Sequence, residues 1–216
     1  MTRREICKLG ALCGGIGAAM SAGLGRPASA YRVPQYPMAP KPPAQAKAEL
    51  LRFECFADSV DFELVGHELF TTPFRGFLTC EPTAVDPMEG WRLQVRDFYT
   101  SANGRQMGRV RMIEDDERQV PASTLEPHSP PAPFPARNRY HLHLLAKFPH
   151  LAPRRLLRSS GVFTLVADVE KYPPDEQRYE LQEPVAFEDE DDPGHPVIRI
   201  LNFPVWMKHS RSTPGE

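Results

Sequence analysis

Nothing in this chain announces a reaction. There is no G-x-S-x-G elbow, no H-E-x-x-H (His67-Glu68 stops there), no Walker loop, no C-x-x-C and no haem attachment motif. These gaps weigh against an enzyme without excluding one, because triads and carboxylate pairs assemble from distant positions. A surplus of positive charge is also missing: 26 Lys and Arg stand against 28 Asp and Glu, a net charge of −2. Phosphate binding wants concentrated positive charge, so nucleic acid is not the expected partner. Long helices are nearly excluded by 24 prolines in 216 residues, since proline deletes a backbone donor and clashes with the preceding turn. Cysteine is scarce, and two of the four, Cys7 and Cys13, stand at the very start.

What the start does contain is an address. "TRREICK" (residues 2–8) precedes "LGALCGGIGAAMSAGLG" (residues 9–25), an uncharged run of seventeen residues with six Gly, four Ala and three Leu. A spanning helix needs about 20 mainly apolar residues, and glycine weakens helices, so a permanent anchor is a poor fit. Arg26, Pro27 and "ASA" follow, a small-x-small pattern that places signal cleavage after Ala30. The order Thr2, Arg3, Arg4, Ile6, Cys7, Lys8 resembles the twin-arginine export signal. An ordinary secretory signal with two incidental arginines stays open. The resemblance covers residues 1–30 and implies a bacterial chain that folds in the cytoplasm, engages the export machinery through Arg3 and Arg4, and finishes periplasmic or extracellular. Some cargoes of that route carry a cofactor. No stable membrane insertion is expected once the signal is removed.

The signal holds Arg3, Arg4, Lys8 and Arg26 against Glu5, so the mature chain has 22 basic and 27 acidic residues, net −5. Residues 31–47, with five prolines and no hydrophobic periodicity, read as an extended linker. Residues 48–209 then form a single domain, and 210–216 a disordered tail. Within the domain, short runs rich in Val, Phe, Tyr, Leu and Thr alternate with turn residues, the pattern of an all-β protein. About eight to ten antiparallel strands in a β-sandwich are expected, with a barrel as the alternative.

Some elements are legible one by one. In "WRLQVRDFYT", Trp91, Leu93 and Val95 share one face and Arg92, Gln94 and Arg96 the other. Asn103-Gly104 suggests a tight hairpin turn, residues 161–169 a central strand covered on both faces, and residues 152–160 the only helix. Residues 120–138 read as a proline-rich loop suited to partner capture.

The candidate chemistry is thin. In "YHLHL", His141 and His143 stand at i and i+2, and on one strand they would share a face and could share one zinc or copper ion. Arg139 on that face would repel a cation, two solvent-side histidines are the plainer reading, and no cofactor is assigned. Cys55 and Cys80 form a disulfide candidate in an oxidising compartment, with two buried free thiols as the alternative. The acidic runs at 114–117 and 188–192 and the basic run holding Arg154, Arg155 and Arg158 read as solvated surface. The expected function is an exported binding or structural module meeting a protein or glycan; the alternative is a metal-binding protein or metalloenzyme using His141 and His143.

Overall fold

The computed structural model describes residues 49–86, 90–105, 107–153 and 155–210. The expected export signal and its cleavage site, the whole of the expected linker at 31–47 and residues 211–216 lie outside the described residues. The all-β antiparallel expectation is met, in thirteen strands: β1 Leu51–Leu64, β2 Leu69–Asp86, β3 Gly90–Gly104, β4 Gly108–Glu114, β5 Ser123–Ser129, β6 Ala132–Leu142, β7 Leu144–Lys147, β8 Leu157–Ser159, β9 Phe163–Val169, β10 Glu176–Leu181, β11 Val185–Asp189, β12 Asp192–Asn202 and β13 Val205–His209. They belong to one sheet.

That sheet turns back on itself because two long strands, β1 and β3, each divide one edge between two partners. β1 pairs with β13 through Phe53–Phe56 and with β12 through Asp61–Leu64. A register shift between Ala57 and Val60 bends the strand between the two partners. β3 likewise pairs with β5 through Trp91–Leu93 and with β4 through Tyr99–Gly104. Two circuits of pairing result, both containing β1, β2 and β3. One continues through β4, β7, β8, β11 and β12, the other through β5, β6, β9, β10 and β13. The closures β12–β1 and β3–β5 remove edges that would otherwise invite aggregation.

Alternation buries one side of nearly every strand, as in β4, where Val110 and Met112 are buried and Arg109 and Arg111 exposed. The first circuit is packed by phenylalanines, with Phe62 against Phe70, Phe74 and Phe148, and Phe148 against Phe187. The second holds hydroxyls as well. Tyr140 OH lies 3.1 Å from Tyr172 OH, which is 3.2 Å from Cys80 Sγ. Tyr179 donates to Asn138 Oδ1 at 2.7 Å, and Asn138 donates to the Thr124 carbonyl at 2.9 Å. These buried hydroxyls and the Asn138 amide thereby keep partners, which burial demands.

Several expectations need correction. Residues 152–160 form no helix: turns run through 149–153 and β8 follows, because Leu157 and Ser159 are buried between β7 and β11. Residues 120–138 are no free loop, for β5 and β6 form a hairpin and β5 also pairs with β3, burying Ser123, Leu125 and Ala136. Gly90, at φ 93°, makes this possible, since a Cβ there would meet the Leu125 carbonyl oxygen at 2.1 Å. The β3–β4 hairpin exists, but Asn103 and Gly104 pair with Arg109 and Gly108, so its tip lies beyond them and the positive φ falls at Gly108. β9 has strands on both edges, yet its outward face is uncovered: Thr164 and Val166 are half-buried and Asp168 exposed.

Cys55 and Cys80 are both buried and free. Cys80 pairs with Leu51, four residues along β1 from Cys55, a displacement of about 13 Å at strand rise. A disulfide needs Cα atoms within about 7 Å, so the bridge is not formed and the free-thiol alternative holds.

Candidate functional site

β3 changes partner between Leu93 and Tyr99, and over that interval neither β4 nor β5 covers its edge. A cleft of about 380 Å³ lies there, walled by Leu93 and Val95 of β3, by residues 120–122 on the way to β5, and by Thr83, Gln94, Glu114, Ser123 and His141. Its position follows from the topology: it sits where the two circuits part. The apolar wall comes from β3 and residues 120–122; the polar groups are Thr83 of β2, Gln94 of β3, Glu114 at the end of β4, Ser123 at the start of β5 and His141 near the end of β6.

His141 Nδ1 is 3.0 Å from Thr164 Oγ1, directly across the β6–β9 pair, and its backbone N–H donates to Ser123 Oγ at 3.0 Å. No described residue bonds Nε2. Partial burial, followed by the charge of Arg139, lowers the His141 pKa, which favours neutral imidazole. Glu114 is shifted the other way: burial, then repulsion from Asp97 and Asp116, raises its pKa. Both groups therefore resist charge. Arg139 itself is paired with Glu126.

The two sequence-selected histidines part company. β6 ends at Leu142 and β7 begins at Leu144, so His143 is where the chain crosses from one circuit to the other. Leu142, His143 and Leu144 are consecutively buried, which breaks the alternation that would have aligned the imidazoles. His143 Nδ1 faces Ser159 Oγ at 3.4 Å, and its carbonyl accepts from the Asp115 N–H at 2.7 Å. Burial, then Arg118, lowers its pKa against opposing contributions from the Gly161 backbone and Asp115. Among the described residues no group of three His, Cys, Asp or Glu side chains could hold a metal ion. His128 is 3.0 Å from Asp168, and His195 is 2.8 Å from Asp192.

A stability consequence follows from the two lowered histidines. The unfolded chain takes up protons near the ordinary value of 6.5, while the folded chain does so only at lower pH. Their contribution is thus complete above about pH 6.5 and lost as pH falls through the folded values. Glu114 has the opposite slope, so the comparison must be between variants. Urea titrations from pH 7.5 to 5 are expected to show a smaller acid loss for His141→Gln, His143→Gln than for the parent; identical slopes would refute the assignment.

The charged runs, though largely exposed, also pair with one another. Arg155 meets Asp189 at 2.8 Å, and Arg158 meets Glu117 at 2.6 Å, Glu190 at 3.5 Å and the fully buried Asp115 at 3.7 Å. In the acidic run at 188–192, Glu190, Asp191 and Asp192 are exposed at the β11–β12 turn as expected, and Asp189 is the buried exception, held by Arg155. No local signal marks Glu114 out from its acidic neighbours; its role depends on where β4 ends. The thiols are unreactive in character: burial pushes Cys55 up to about 12 and also raises Cys80, against hydrogen bonds from Tyr172 and Tyr140.

No protein-family model and no curated protein matches the chain. Among solved structures it is similar to DynF from the dynemicin biosynthesis pathway of Micromonospora chersina, at 19% identity over 85% of this chain and 92% of that one, with a TM-score of 0.65. At that identity the likeness is one of fold alone.

Proposed function

We propose that this chain is an exported binding protein, delivered folded to the periplasm or beyond, whose cleft takes a small neutral molecule with an apolar body and a hydrogen-bonding group. The carrying observation is the convergence of Glu114 and His141, both shifted toward their neutral forms, on a cleft with an apolar wall. A carboxyl whose charged form is disfavoured and a neutral imidazole offer hydrogen bonds more readily than a net charge, so a hydroxyl or carbonyl suits the site better than an ion. The volume lies in the range of small-molecule sites, which combine apolar walls with a few placed polar groups.

The test is two-dimensional NMR of the protein with a library of neutral, amphiphilic fragments. Shifts are expected to cluster at Leu93, Val95, Ala122 and His141, and to be lost in Val95→Trp, which fills the cleft, at unchanged melting temperature. Hits scattered elsewhere, or undiminished binding by Val95→Trp, would overturn the reading. The metal alternative has its own readout: stoichiometric zinc or copper in the purified chain, lost in His141→Ala, His143→Ala, would replace the small-molecule proposal.

A further inference from the structure

The outer face of the shared strands carries a row of side chains brought into line by register alone. Trp206 of β13 pairs with Phe56 of β1, Phe56 with Arg75 of β2, Arg75 with Ser101 of β3, Ser101 with Arg111 of β4, and Arg111 with Lys147 of β7. Paired residues project to the same side, and Arg75, Arg111, Lys147 and Trp206 are exposed. Arg109 stands two residues from Arg111 on the same face. From Arg75 to Lys147 is about 14 Å, three strand spacings.

Two features mark this patch out. Arg96, Arg137, Arg139, Arg155, Arg158 and Arg199 each pair with an acid, whereas Arg75, Arg109, Arg111 and Lys147 have no acid partner among the described residues. Moreover, Arg111 and Lys147 are directly opposite one another, an arrangement that costs stability. A chain with an acidic balance thus aligns four cations without an acid partner on one outer face of the sheet.

We propose that this face binds an acidic polysaccharide, its carboxylates or sulfates on Arg75, Arg109, Arg111 and Lys147 and a sugar ring stacked on the exposed Trp206. The surface is extended, which suits a polymer with repeating charges. Trp206 stands exposed, while Phe56 beside it is half-buried under the Arg75 guanidinium, 4.9 Å from its ring centre. The proposed export of the chain favours an envelope glycan over nucleic acid. The cleft takes no part.

Affinity chromatography and calorimetry of the full chain would use polygalacturonate and dextran sulfate as probes, with neutral dextran, single-stranded DNA and anionic vesicles alongside. Both acidic polysaccharides are expected to bind, more weakly as salt rises, and Arg111→Glu, Lys147→Glu to lose about tenfold or more in affinity. Arg111→Glu alone would place opposite charges across the β4–β7 pair, so it should weaken binding while keeping or raising the melting temperature. Equal binding of neutral dextran, wild-type affinity in the double variant, or tighter binding of DNA or vesicles at the same ionic strength would overturn the proposal.

Discussion

A chain lacking residues 121–136 is expected not to fold. The deletion removes β5 and the first half of β6, and with them the pairings Trp91–Leu125 and Leu93–Ser123 that close one circuit onto β3. Leu125 and Ala136 are lost from the core, and Leu93 and Asn138, buried in the intact chain, lose their partners Ser123, Thr124 and Leu125. Each fully buried large apolar side chain is worth about 1.5–3 kcal/mol, and the Asn138 amide loses its Thr124 acceptor, at roughly 1–3 kcal/mol for an unsatisfied buried donor. Two or three such losses consume most of the roughly 5–15 kcal/mol that separates a folded domain from its unfolded chain. Absence of a cooperative thermal transition and of near-ultraviolet dichroism is the expected result. A deletion variant that melts cooperatively with a retained aromatic spectrum would show that the hairpin is dispensable.

Replacing Arg3 and Arg4 with lysine should leave the chain in the cytoplasm with its first 30 residues attached. Lysine keeps the charge but loses the planar fork of donors, so the exchange is not conservative where a guanidinium is read in detail. Loss of even one bidentate contact, at about 1.4 kcal/mol, lowers binding tenfold. Cell fractionation with N-terminal sequencing measures both location and cleavage after Ala30. Undiminished export of the variant would assign the segment to the general secretory route, and uncleaved protein in the membrane would make it an anchor.

The failures of sequence reading share a cause. Strand character was legible because alternation is local, and it holds in β4 and β9 residue by residue. The helix expected at 152–160 and the loop expected at 120–138 were inferred from proline, which removes backbone donors but leaves open which strand comes alongside. Leu157 became strand because β7 and β11 flank it, and Leu125 because Gly90 admits its carbonyl. His141 was singled out for a partnership with His143 that the crossing at Leu142–Leu144 dissolves, and its actual neighbour in the cleft, Glu114, lies 27 positions upstream. The disulfide candidate rested on compartment and count, and register separated the two thiols.

By itself, then, the order of residues determined that this chain is built of antiparallel strands, since period-two alternation and frequent proline are properties of neighbouring positions. Only the tertiary structure decided that the sheet closes twice through β1 and β3, where the cleft opens, and that scattered cations stand in one row. Those outcomes depend on which strands pair and in what register, and register is a relation between residues far apart in the chain.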